Sequence, residues 1–197
     1  GVERRLSISI DANAKEGRPD GLYGNKFASA SEDAISKACK PIIPPTITNL
    51  IAMEAPSRGK SEYTLTQITD IFTTAYTAFM AAKHVESHFL FADTMRNLDT
   101  SSQIPESVVT IHTGNWGTGA YGGNKVLMAL LQLAAARAAY IDRLVYHTFS
   151  HEYSTAYNEA LNLLSQKFIP GNTRMTTLSF LKQVQKLRLR WGVSDGN

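Results

Sequence analysis

Between residues 113 and 124 the chain reads Thr-Gly-Asn-Trp-Gly-Thr-Gly-Ala-Tyr-Gly-Gly-Asn, with glycines at 114, 117, 119, 122 and 123. No other feature restricts the fold as much. Val108 to His112 upstream is β-rich, and Asn124 to Ala139 downstream is a Leu/Ala-rich helical pattern, so the segment turns a strand into a helix. Residues without a Cβ let the backbone turn sharply and bring its N–H groups close to a ligand. The following helix adds free N–H groups and the positive end of its dipole, a natural seat for a pyrophosphate. Two or three glycines suffice for a turn that binds nothing, so the surplus argues for a ligand. Trp116 and Tyr121 would then wall a ribose or a base; in an inert turn they would belong to the core.

Around this loop the pattern is that of an α/β domain. Leu6, Ile8 and Ile10 alternate with serines and predict a half-buried strand, followed by a loop from Gly17 to Gly24. Ser29-Ala-Ser-Glu32 has capping-box spacing and opens a short helix that Lys40-Pro41 closes. The run Ile47 to Ala55, with Leu50-Ile-Ala-Met53 at its centre, suits a strand buried on both faces. From Tyr63 to Lys83 apolar residues recur every three or four positions, which predicts a long helix with one face on a core. Glu86 to Phe91 reads as a short strand, Asp93 to Glu106 as polar loop, and Leu144 to Phe149 as the strand after the Asn124–Ala139 helix. Two helices, Tyr153 to Lys167 and Met175 to Arg190, are separated by Pro170-Gly171. Alternating strands and helices imply crossovers and a central, mostly parallel or mixed sheet flanked by helices. At 197 residues the expectation is one domain spanning the chain.

Composition narrows the function classes. Lys+Arg 20 against Asp+Glu 17 leaves a net charge of +3, compatible with phosphate-bearing ligands. The basic stretch Lys182 to Arg190 reads as the solvated face of a terminal helix, so no direct nucleic-acid partner is expected. A single cysteine, Cys39, excludes an internal disulfide and a Cys-rich zinc pattern. His112, His147 and His151 lie near strand ends without an acid or thiol at ligand spacing, so no metal is expected, and no cofactor. No apolar run approaches the ~18 residues that span a bilayer, and residues 1–10 lack a signal-peptide core. The expected protein is soluble and intracellular.

Gly117-Thr-Gly119-Ala-Tyr-Gly122 matches G-x-G-x-x-G. A dinucleotide-binding fold wants that motif in its first βαβ unit with an acid about 20 residues on, whereas here more than half the chain precedes it. An NAD-linked oxidoreductase is therefore a minor alternative. Gly122-Gly-Asn-Lys125 lacks the Gly-Lys-Ser/Thr ending of a P-loop.

Thr113 to Gly123, continued through Leu127-Met-Ala-Leu-Leu-Gln-Leu-Ala-Ala-Ala136 to Val145-Tyr-His-Thr-Phe149, resembles the catalytic domain of poly(ADP-ribose) glycohydrolases, a branch of the macrodomain superfamily. Leu50-Ile-Ala-Met-Glu-Ala55 is similar to the preceding family strand. The resemblance implies a macrodomain-like three-layer sandwich that binds ADP-ribose or an ADP-ribosylated protein. It implies that Gly114, Asn115, Trp116, Gly117, Gly119, Ala120, Tyr121 and Gly122 hold the diphosphate and distal ribose. Tyr121 stands where the family usually has Phe, and Phe149 would lie against the adenine or its ribose.

One departure bears on chemistry. The family carries a triple-glycine loop followed by Gln-Glu-Glu, whose glutamate protonates the leaving oxygen of the ribose–ribose bond. Here Leu22-Tyr-Gly-Asn-Lys-Phe27 is followed by Ala28-Ser-Ala-Ser-Glu-Asp33 instead. Either the chain begins after the catalytic element, or it cleaves with another carboxylate, or it only reads ADP-ribosylated proteins. The upstream acids to test are Asp11, Glu32, Asp33 and Glu54, and no catalytic residue is assigned.

Overall fold

The computed structural model describes residues 2–6, 8–10, 29–41, 47–56, 59–96, 108–148, 151–168 and 175–194, with side-chain surroundings for 29–37, 49–56, 59–85 and the described residues from 108 onward. The expected loop at Gly17–Gly24, Asp11, Phe149 and Pro170-Gly171 lie outside them.

In chain order the elements are β1 (Val2–Leu6), β2 (Ile8–Ile10), α1 (Glu32–Ala38), β3 (Cys39–Pro41), β4 (Ile47–Ile51), α2 (Leu65–Arg96), β5 (Thr110–Thr113), α3 (Lys125–Ala138), β6 (Arg143–Tyr146), α4 (His151–Asn162), a π-helical continuation (Leu163–Phe168) and α5 (Thr177–Gln185). β1 pairs antiparallel with β4, and β2 with β3. β5 and β6 pair in parallel, Ile111 opposite Leu144, and the connection between them is α3. That β–α–β unit is the crossover predicted from the sequence, and the described strands make a mixed α/β arrangement.

Local chemistry explains where the helices start. Ser31 caps α1, its Oγ accepting from Ala34 N–H at 3.2 Å. Thr64 and Gln67 form a reciprocal box at the head of α2: Thr64 N–H donates to Gln67 Oε1 at 3.0 Å and Gln67 N–H to Thr64 Oγ1 at 3.2 Å. Asn124 caps α3 through Oδ1, which accepts from Leu127 N–H at 3.0 Å.

α3 lies at the centre of the core. Leu127, Met128, Ala129, Leu130, Leu131, Ala134, Ala135 and Ala136 are buried on nearly every face of it, as expected of a helix enclosed by neighbours. α2 packs on one side of it and α4 on another. The stripe predicted on α2 is confirmed: Ile68, Ile71, Phe72, Ala75 and Phe79 are buried, as are Phe180, Leu181 and Val184 of α5.

Four expectations need correction. Glu86 to Phe91 is not a strand but part of α2, which runs on to Arg96. No glycine or proline interrupts residues 84–96, so a helix already nucleated propagates through the Phe89-Leu-Phe91 cluster. Residues 93–96, predicted as loop, belong to it too. Leu50 is 50% exposed rather than buried on both faces, because among the described residues β4 is paired with β1 alone and its other side borders an open groove of about 570 Å³ lined by Asn49–Ile51 and Val108–Thr113. The last helix stops at Gln185 instead of Arg190: Arg188 adopts a positive φ of 54°, and residues 189–191 run extended beside 61–63, with Tyr63 N–H donating to Leu189 O and Trp191 N–H to Ser61 O.

Candidate functional site

β5 delivers the chain to the glycine loop at its carboxyl end, and α3 carries it away. Inside the loop, Trp116 N–H donates to Gly114 O at 2.8 Å, Gly122 N–H to Gly119 O at 2.9 Å and Gly123 N–H to Gly117 O at 2.9 Å. Gly117 and Gly122 have φ of 73° and 64°, where a side chain would be strained. Gly123 is required for a different reason: a Cβ there would fall 2.6 Å from Gly117 O. The loop is therefore a closed double turn. Among the described residues no acceptor takes the N–H groups of Gly119 and Tyr121.

Thr118, buried and bonded to Asn115 O at 3.0 Å, fixes the first turn. Asn115 Oδ1 and Trp116 Nε1 are buried without a partner among the described residues. Trp116 packs against the core with its ring, whereas Tyr121 is 47% exposed. Met128 of α3 and Ala55–Pro56 lie beneath Gly117, within 3.5 Å of where its Cβ would fall, so the segment after β4 abuts the loop.

Two side chains unremarked in the sequence tie this loop to the core. Gln132 is fully buried. Its Oε1 accepts from Thr113 Oγ1 at 2.5 Å and its Nε2 donates to Gly114 O and to Met128 O, both at 3.2 Å. A lone amide inside Leu127–Ala136 was the available signal. Tyr63 is the second: its hydroxyl accepts from Asn124 N–H at 2.9 Å, and its ring stacks on Trp191 at 4.3 Å. Trp191 is thus an anchor for the residues after α5.

Burial holds the Tyr63 phenol protonated, its pKa pushed up to about 12 from 10.0 against the opposing Asn124 N–H. Between those values the unfolded chain has lost a proton the folded one keeps, so stability falls as pH rises, by up to ~1.4 kcal/mol per pH unit from this group. Below pH ~10 the contribution is complete. Burial pushes Tyr146 the same way, with Tyr153 and Tyr157 adding to it. Urea midpoints should therefore drop from about pH 10 to about pH 12, and a flat series would contradict the buried phenols.

The described acids among those proposed from sequence, Glu32, Asp33 and Glu54, do not converge. Glu32 and Asp33 are exposed in the first turn of α1, with Asp33 paired to Lys37 at 2.8 Å. Glu54, also exposed, directly precedes Ala55, which lies against Gly117. Of Glu32, Asp33 and Glu54, it is the nearest along the chain to a loop contact. Two downstream carboxylates enter the neighbourhood: Glu152 and Glu159 line a cavity of about 610 Å³ with Thr118, Gly123 and Lys125. Glu152 is paired with Lys125 at 2.5 Å.

His112 and His147 come together, Nδ1 to Nε2 at 2.9 Å, while His151 bonds Thr155 instead. No group of three or more His, Cys, Asp or Glu is placed to hold a metal ion among the described residues, and no helix there is long and apolar enough to cross a membrane.

A β-strand, a glycine-dense double turn, the amino end of a buried helix and a parallel return strand are thus joined in one unit. A family model described as "Poly (ADP-ribose) glycohydrolase (PARG), Macro domain fold" matches residues 21–156. The chain belongs to the poly(ADP-ribose) glycohydrolase family. The matched span covers more than half of the 197 residues and includes β4, α2, the whole β5–α3–β6 unit and the start of α4. A macro domain fold agrees with the α/β arrangement and with the resemblance noted in the loop.

Proposed function

We propose that this chain binds ADP-ribose through the loop from Gly114 to Gly122 and hydrolyses an ADP-ribosyl O-glycosidic bond in an ADP-ribosylated partner. The observation that carries the reading is the set of polar groups in one turn that are unspent among the described residues: the N–H groups of Gly119 and Tyr121, with Asn115 Oδ1 and Trp116 Nε1 beside them. A diphosphate supplies acceptors for such N–H groups, and the amino end of α3 favours its charge. Family membership supports the ligand class. Phe149, the residue directly after the described segment that follows β6, is assigned to the adenine or its ribose from the family pattern.

Cleavage at an anomeric carbon passes through an oxocarbenium-like state and needs a proton donor for the leaving oxygen. Among the described residues, Glu54 is the acid we assign for testing, because Ala55 beside it touches the loop. The unspent loop groups alone also fit a second reading, a non-catalytic reader of ADP-ribosylated proteins.

Calorimetry with ADP-ribose and an ADP-ribosyl release assay, run on the wild type and on Glu54→Gln, separate these. Binding with release that Glu54→Gln abolishes supports the hydrolase; release that persists moves the acid elsewhere. Binding without release leaves the reader. Tighter binding of NADH than of ADP-ribose would point to an oxidoreductase, and no heat with millimolar ADP-ribose from a folded sample would overturn the ligand assignment.

A further inference from the structure

The loop is gripped from behind by the residues that follow α5. Ser194 Oγ donates to Ala120 O at 2.8 Å, Gly192 N–H to Gly122 O at 2.8 Å, and Asn124 Nδ2 to Arg190 O at 2.9 Å. Three bonds thus join residues 190–194 to the loop and the cap of α3.

This segment is itself held. Trp191 stacks on Tyr63 and lies so close to Gly59 that a Cβ there would sit 2.1 Å from its indole nitrogen. Trp191 N–H donates to Ser61 O, and Arg188 bonds both oxygens of Glu62 at 3.1 Å.

The consequence follows from peptide geometry. In a planar trans peptide the C=O and the next N–H point in opposite directions. Directing Ala120 C=O at Ser194 therefore turns Tyr121 N–H to the other side of the loop. That amide is without an acceptor among the described residues. The Gly122 carbonyl held by Gly192 sets the next peptide in the same way, and its partner N–H, that of Gly123, closes the loop on Gly117 O.

We propose that residues 190–194 are the positioning element of the ligand loop, and that Ser194 is a positioning residue that aims the Tyr121 N–H at a ligand phosphate oxygen. The phosphate rests on the function proposed above; the aiming of the peptide does not. Ser194 touches no ligand atom itself in this role. A side chain 74 residues beyond Ala120 tunes affinity by orienting backbone.

The test compares Ser194→Ala and Ser194→Thr with the wild type by ADP-ribose calorimetry, thermal unfolding and amide NMR of the ligand-free protein. Ser194→Ala should weaken ADP-ribose binding about fivefold to tenfold, the net worth of one hydrogen bond, with little change in Tm. Ser194→Thr, which keeps the hydroxyl, should restore it. The Tyr121 amide signal should move in Ser194→Ala without ligand. Unchanged affinity in Ser194→Ala, or a loss shared equally by Ser194→Thr, would overturn the proposal. If the wild type binds no ADP-ribose, the ligand assignment fails and the NMR arm decides: a Tyr121 shift confined to Ser194→Ala upholds the aiming role, and its absence removes it.

Discussion

Replacing Gly123 by alanine is expected to abolish most of the affinity for ADP-ribose and to destabilise the fold. The added methyl would fall 2.6 Å from Gly117 O and 3.2 Å from Met128 Cγ. A flexible side chain such as Met128 can yield, but the carbonyl is backbone, and it is the acceptor that closes the loop on Gly123 N–H. The two ends of the loop must part, so that hydrogen bond is lost and the N–H groups of Gly119 and Tyr121 lose their relative placement. A loss of at least tenfold in affinity corresponds to about 1.4 kcal/mol, and a drop of about 2 kcal/mol in unfolding free energy is in the range for local strain with a broken bond. Calorimetry and urea unfolding read the two effects separately. Wild-type affinity in Gly123→Ala would show that the closed turn is not the ligand's seat, whereas wild-type stability would contradict the close approach itself.

Gln132→Leu should have the second large effect, on stability first. Leucine fills a similar volume, so little is lost in packing. It leaves Thr113 Oγ1 and Gly114 O without the partner that now holds them. Each group stranded out of water costs about 1–3 kcal/mol, which predicts a loss of about 2–4 kcal/mol. Because both groups begin the ligand loop, ADP-ribose binding should weaken as well. Thr113→Val distinguishes the roles: it removes the hydroxyl while Gln132 can still donate to Gly114 O, so it should reproduce most of the loss only if the Thr113 bond carries most of the effect. A neutral Gln132→Leu variant would mean that the buried amide is dispensable.

Much of the architecture around the site was legible because it rests on local chemistry. Glycines 114 to 123 between an extended run and a Leu/Ala-rich run announce a strand, a turn and a helix, and the helix begins within one residue of Asn124, whose side chain caps it. The apolar stripe from Ile68 to Phe79 likewise needs only helical periodicity to be read. Glu86 to Phe91 was misread for the opposite reason. Its aromatic cluster has strand-like composition, and only continuity with an established helix decides its state. The end of the last helix is similar: Leu187 and Leu189 continue a plausible apolar pattern, but pairing with residues 61–63 pulls the chain out of the helix.

The sequence by itself determined that residues 113–124 form a glycine-dense turn between a strand and a helix, that α3 follows it, and that the chain resembles one family, since these depend on residue types within a short span. Only the tertiary structure decided what holds that turn in place. Gln132 below it, Tyr63 beside it and Ser194 behind it come from positions up to 74 residues apart from their partners in the loop. No periodicity or spacing encodes such hydrogen bonds, because they exist only after the core of α2, α3 and α5 has brought three distant segments to one end of the molecule.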